Sequence, residues 1–210
     1  MGPLRVEVIG SCPLTPTRLA ELMAGVRSVT ELDAIAAILP GCWHMVASLA
    51  GVVRVQGSLS GLRRVFHTRV GGVLVAGDRA DVLARVAGAG IDAQALAVRV
   101  ACGRQVPPPL CERSFWRDVH AVAPDRYLRI DPEGEARELR WWRPPEPALP
   151  LGAGADRVRE APRVALAARG SVLGRVSADL SGGLDSTSLC FPGRPGGLAR
   201  FADLPVGRGR

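Results

Sequence analysis

A chain of 210 residues, 47% hydrophobic and 22% charged, has the composition of a globular protein with one complete core and part of a second. No apolar run reaches the roughly 18 residues of a membrane helix, and the opening MGPLRVEVIG is too short in its apolar stretch and too weakly basic in its flank for a signal peptide, so a cytoplasmic chain is expected. The net charge of +7 rests on 27 basic residues, all Arg and spread along the chain without basic clusters between aromatics, so neither a nucleic-acid nor a membrane partner is expected.

From residue 52 to 76, short β-prone runs alternate with glycines: GVVRVQGSL, RRVFHTRV and GGVLVAG. Runs of this length between turn formers predict antiparallel strands. Asp78 stands at an N-cap position before ADVLARVAG, where Val82, Leu83 and Val86 share a helical face. IDAQALAVRVACG predicts another amphipathic helix, closed by Gly103, and the prolines at 107–109 end any continuation. VHAVAPDRYLRIDPEGEARELRWW then predicts a strand, a turn at Pro124 and Asp125, and a strand over 127–130. A tight turn at Pro132, Glu133 and Gly134 leads to a last strand running into Trp141 and Trp142.

Residues 143–154, RPPEPALPLGAG, carry too many prolines and glycines for regular structure and predict a linker between a unit over 1–142 and another from 155 onward. The second unit opens with ADRVREAPRVALAARG, helical in pattern, in which Pro162 should kink or restart the helix. Residues 175–180, RVSADL, read as a short strand that leads into Gly182 and Gly183, and a helix begins at Asp185.

The order strand, glycine turn, helix presents backbone N–H groups to an anion. Gly182 and Gly183 leave room for a phosphate to approach, while Leu180 ends the strand that delivers the turn. Ser181 and Ser186 add hydroxyl donors, and Asp185, the one acid of the loop, makes sense beside a polyphosphate only as a ligand for Mg²⁺. The loop is not a Walker A loop, for it lacks the four-residue spacer and the Lys. A plainer alternative is a helix start with a capping Asp, since Ser, Gly and Asp are favoured there for purely structural reasons.

The eleven residues 179–189, DLSGGLDSTSL, resemble the pyrophosphate loop of the asparagine synthetase family almost letter for letter. The stretch 41–142 is similar to the amino-terminal half of the lasso-peptide cyclases, asparagine-synthetase homologues that adenylate a side-chain carboxylate for attack by an N-terminal amine. It carries WHMVAS near its start, VRVQGSLSGLRRVFHTRVGGVLVAGDRADVLA in its middle and DVHAVAPDRYLRI before the double Trp. The resemblance implies an α+β front domain of layered, N-terminal-nucleophile-type sheets over 1–142, followed over 155–191 by the beginning of an α/β ATP pyrophosphatase domain. It implies ATP and Mg²⁺ as cofactors, and aspartate or a precursor peptide as the carboxylate substrate.

In the glutamine-hydrolysing members the front domain opens on a catalytic Cys and stabilises its oxyanion with an Asn. Here Gly2 holds the first place and the chain contains no Asn, so a degenerate domain without glutaminase activity is expected. The alternative function is a non-catalytic scaffold or pseudoenzyme that binds a peptide or partner protein. Residues 192–210, PGRPGGLARFADLPVGRGR, read as an aberrant or disordered tail that cannot complete a parallel sheet, and the chain by itself is expected to be inactive. The absence of Lys and Asn beside abundant Ala, Gly and Pro is the usage of a GC-rich genome.

The five cysteines, Cys12, Cys42, Cys102, Cys111 and Cys190, form no CxxC pair and suggest neither a disulfide framework nor a zinc site. They are expected to be free thiols in a reducing compartment. His44, His67 and His120 are expected to be structural histidines.

Overall fold

The computed structural model describes residues 3–103, 105–107, 110–173 and 183–190. In chain order the front part contains β1 (Arg5–Ser11), α1 (Pro16–Met23), α2 (Leu32–Ile38), β2 (Cys42–Leu49) and β3 (Val52–Gln56). There follow β4 (Val65–Val70), β5 (Val73–Gly77), α3 (Ala80–Ala87) and α4 (Ala93–Cys102). The remaining elements are β6 (His120–Val122), β7 (Arg126–Ile130), β8 (Ala136–Arg140), α5 (Leu151–Leu173) and α6 (Leu184–Cys190).

Side-chain alternation sets the layers. Along β2, Trp43, Met45, Ala47 and Leu49 are buried and the residues between them half-buried, so both faces of the strand are covered. The buried row meets Met23 of α1 and Leu32, Ile35 and Ala36 of α2. The strands run β1-β2-β3-β7-β8 in a five-stranded antiparallel sheet and β5-β4-β6 in a three-stranded one. A second cluster joins the sheets face to face, Leu128 and Val55 of the larger meeting Val65 and Val122 of the smaller. Leu83 and Ala84 of α3 cover the outer face of the smaller sheet against Phe66 and Val119. The result is a mixed α/β arrangement of two stacked antiparallel sheets between helices.

The three glycine-separated runs are the expected strands, but they divide between the sheets: β3 joins the larger, while β4 and β5 form a hairpin in the smaller. The loop between β3 and β4 makes the switch. A Cβ on Gly57 would stand 2.0 Å from the Arg63 carbonyl oxygen, so only glycine fits there. Ser58 ties the loop shut, its N–H donating to Arg63 O at 3.0 Å and its Oγ accepting from Arg63 N at 3.0 Å.

Helix boundaries differ in detail from the expectations. The N-cap of α3 is Arg79, not Asp78; its backbone is extended and its guanidinium pairs with Asp81 at 2.5 Å. In α4, Asp92 Oδ1 accepts from Gln94 N at 2.9 Å and Ala95 N at 3.1 Å, and Gly103 closes the helix at φ +58°. β8 stops at Arg140, before the double Trp, because Trp141 N turns to Asp125 O at 3.0 Å and its indole N–H donates to Pro124 O at 3.1 Å. The irregular stretch ends sooner than expected: α5 starts at Leu151, with Gly154 N donating to Pro150 O at 2.9 Å, and it continues through Pro162 without a restart. The elements β1, α1, α2 and β2 had no sequence assignment. Thr15 and Pro16 do mark the start of α1, with Arg18 N donating to Thr15 Oγ1 at 3.2 Å.

Between the larger sheet and the first two helices lies Arg54, 0% exposed. It stands opposite Ala47 and Arg129 in the ladder and points to the helix side, where its Nη1 donates to Val29 O at 2.8 Å and to Asp33 Oδ1 at 2.5 Å. Its Nε donates to Gln56 Oε1 at 2.9 Å, its Nη2 donates to the same oxygen, and the guanidinium lies 3.8 Å over the Tyr127 ring. Burial pulls the Arg54 pKa down, and the Asp33 hydrogen bond and charge oppose that pull. Burial also pushes the Tyr127 phenol up, so the ring under the cation stays neutral.

Removing one member of such a set strands the others in a dry interior. Arg54→Ala should cost about 3–5 kcal/mol by urea unfolding, whereas Asp33→Asn, which keeps a carbonyl acceptor at the half-exposed end, should cost about 1–2 kcal/mol. Equal and small losses for both would show that the buried cation does not organise the core.

Helix α5 has a different character. Leu151, Val158 and Val164 are exposed, and Ala168 is its buried residue among those described. Few buried contacts mean a low cost of local opening. Limited proteolysis should therefore cut first beyond Pro150 and leave a fragment containing 41–142; simultaneous loss of both parts would contradict this.

Candidate functional site

Three of the six residues expected to cradle a phosphate are described: Gly183, Asp185 and Ser186. Leu180, Ser181 and Gly182, the expected strand over 175–180 and the tail over 192–210 lie outside the described residues, as does Gly2. The helix anticipated after the glycine pair is present as α6, which starts at Leu184, directly after Gly183.

Its start is organised by one carbonyl. Gly183 O accepts from Thr187 N at 3.1 Å, from Thr187 Oγ1 at 2.8 Å and from Ser186 Oγ at 3.1 Å. The Ser186 hydroxyl, expected to face a phosphate, here donates back to the turn, a common local bond of Ser near a helix start. Asp185 lies in the first turn and is exposed, so its carboxylate is open to solvent and to a cation. Among the described residues, Asp185 is the one acidic residue in the first turn of α6.

The remaining sequence candidates fall elsewhere in the fold. Cys12, Cys42, Cys102 and Cys111 are unpaired thiols, and among the described residues no group of three or more His, Cys, Asp or Glu is arranged to hold a metal ion. His44 Nε2 lies 3.0 Å from Arg64 O, a structural contact between β2 and the approach to β4. His67 and His120 pair across β4 and β6 with ring centroids 5.3 Å apart. Arg64 donates to Glu112 O and lies 4.9 Å over the Phe66 ring; burial pulls its pKa down, countered by Cys111 and Glu112.

A groove of about 600 Å³ runs between α5 and the body, with Pro40 and Gly41 on one side and Ala161, Val164, Ala165 and Ala168 on the other. Its lining is mostly apolar and does not include Gly183, Asp185 or Ser186. Among the described residues, Gly183, Asp185 and Ser186 are therefore separate from this groove. The buried set around Arg54 escaped sequence reading, although an Arg alternating in phase with Val52 and Gln56 in a strand was the available signal.

No protein-family model matches the chain, and no curated protein matches it. Among solved structures, it is similar to glutamine phosphoribosylpyrophosphate amidotransferase from B. subtilis, complexed with ADP and GMP. That match has a TM-score of 0.43 and 13% identity, and covers 67% of this chain and 30% of that one. It is also similar to a structure described as the allosteric regulatory enzyme of purine biosynthesis, with a TM-score of 0.39 and 13% identity over 67% of this chain and 29% of that one. The chain thus spans less than a third of the length of either structure.

Proposed function

We propose that this chain derives from an asparagine-synthetase-like enzyme that forms amide bonds through an acyl-adenylate, with peptide macrolactam formation favoured over asparagine synthesis. The observation that carries the reading is the string DLSGGLDSTSL over 179–189, supported by a helix that starts immediately after its second glycine and leaves Asp185 exposed in the first turn. In this reading Leu180, Ser181, Gly182, Gly183 and Ser186 contact the phosphates of ATP. Asp185 is the residue that would hold Mg²⁺, and an exposed carboxylate at a helix start fits a hard cation. The ion supplies charge neutralisation for the polyphosphate.

The chemistry needs such a loop because a carboxylate is a poor electrophile until its oxygen becomes part of a good leaving group. The substrate carboxylate attacks the α-phosphorus, the bond to the bridging oxygen breaks, and pyrophosphate departs with the charge that the loop is placed to neutralise. An amine then attacks the acyl carbon and AMP leaves. To bond a phosphate, the Ser186 hydroxyl must exchange its present bond to Gly183 O for one to the ligand, and Thr187 Oγ1 remains to hold the turn.

The cyclase branch is favoured by what these 210 residues contain. With no Asn available for an amidase oxyanion site, an amine carried by the substrate suits the chain better than ammonia released from glutamine. The front sheets then serve as scaffold.

Residues 179–189, grafted into an active homologue in place of its own loop, should sustain pyrophosphate release from ATP with a carboxylate substrate. The same graft carrying Asp185→Ala should lose at least about 100-fold. A graft that is inactive with Asp185 present, or fully active without it, would remove the loop from the reaction.

A further inference from the structure

We propose that Arg129 and Arg137 form a binding site for a phosphate dianion, free or carried as a monoester by a small molecule, on the helix-facing side of the larger sheet. In the ladders Arg54 of β3 stands opposite Arg129 of β7, and Arg129 stands opposite Arg137 of the edge strand β8. Three arginines therefore lie in one row across three adjacent strands. Residues directly opposite on antiparallel strands share a face, with Cβ atoms about 4.5–5.5 Å apart. The row runs outward from the core: Arg54 is buried, Arg129 half-buried and Arg137 exposed.

One carboxylate matches this row, and it is taken: Asp33 pairs with Arg54 at 2.5 Å. Neither Arg129 nor Arg137 makes an ion pair or a side-chain hydrogen bond among the described residues. The acids of the β7–β8 hairpin are engaged elsewhere. Glu135 pairs with Arg69 at 2.9 Å, Asp131 Oδ1 accepts from Glu135 N at 2.8 Å, and Glu138, opposite Leu128, belongs to the other face. Glu133 stands in the exposed turn, outside both strands. Arg126 and Arg140 also oppose each other, but on the other face, and Arg140 is held by Asp125 at 2.9 Å. Burial pushes the Tyr127 phenol up, and the charges of Arg54 and Arg129 pull it down, so the Arg129 guanidinium acts on the ring that lies under Arg54.

Like charges directly opposite each other weaken the pairing of their strands. A half-buried guanidinium without a partner also gives up hydration for nothing. Both costs are relieved when one anion of charge near −2 bridges the two side chains. A phosphate monoester carries about −1.5 to −2 at neutral pH, and its three terminal oxygens accept from two guanidinium forks at once. A single carboxylate has half that charge and leaves one arginine unmatched. The site is built from β7 and β8 alone and needs nothing from the loop over 179–189.

The test is urea unfolding of the full chain at about pH 8, where phosphate is a dianion, in chloride and in inorganic phosphate of equal ionic strength. Wild type is compared with Arg129→Gln, Arg137→Gln and Arg137→Glu, and the general stabilising action of phosphate salts, common to all four, cancels. About 10 mM phosphate should raise the wild-type folding constant roughly tenfold, as a dissociation constant of about 1 mM requires, and that of each variant less than about twofold. In chloride, Arg137→Glu, which sets opposite charges across the two strands, should be roughly twofold to fivefold more stable than Arg137→Gln. An equal phosphate response in all four proteins, no response in wild type, or a Glu variant less stable than the Gln variant overturns the proposal. NMR locates the ion: the Nε–H signals of Arg129 and Arg137, assigned by their loss in the Gln variants, should shift as phosphate is added. Shifts confined to residues 183–189 instead refute the site. Phenyl phosphate separates the two sources: binding about tenfold tighter than inorganic phosphate supports an organic monoester, and equal binding supports free phosphate.

Discussion

A guanidinium sealed inside the core constrains everything in front of residue 142. Arg54 cannot leave its charge in water, so Val29 O, Asp33, Gln56 and the face of Tyr127 must be brought to it. Those partners come from the segment before α2, from α2 itself, and from strands β3 and β7. One cation therefore sets how the helices lie on the larger sheet and which register β3 and β7 adopt. An apolar side chain of the same size would tolerate a slip; a five-donor fork with matched acceptors does not.

The rest of the front part is built outward from that contact. The helix-facing row of β2 continues the buried surface laterally with Trp43, Met45 and Ala47, and its opposite row turns to the second sheet. The sheet interface is apolar at its centre, through Val65, Val122 and Leu128, and charged at its rim, where Arg69, Glu135, His67 and Glu138 meet. Apolar burial supplies cohesion there, and the rim charges add orientation at a smaller energy. Helices α5 and α6 stand apart from this organisation. Exposed Leu151, Val158 and Leu184 lie on them, and Gly183 and Asp185, described residues of the candidate loop, are exposed as well.

Short-range chemistry was legible from residues alone wherever a local rule sufficed. Gly103 closes α4, Asp92 caps it, and the glycine-spaced runs become strands because φ preference, capping and β-branching act within a few residues. Asp78 was misplaced by one position because an Arg with extended backbone, paired to Asp81, can begin a helix without a side-chain cap. The start of α5 was misplaced because Gly and Pro content discourages a helix only on average, and the Pro150 carbonyl was enough to begin one. The helix that follows the glycine pair was equally readable, since its start is written in consecutive residues.

By itself, then, the amino-acid sequence determined the strand and helix segments from residue 52 to 140 and the loop composition on which the ATP reading rests, because both depend on neighbours in the chain. Only the tertiary structure decided that β3 and β4 enter different sheets, that Arg54 is buried rather than solvated, and that His67 faces Glu138. The physical reason is distance along the chain: Arg54 meets a carboxylate 21 residues away and its register partner in β7 lies beyond residue 126, and no local propensity encodes which distant polar group will complete a buried one.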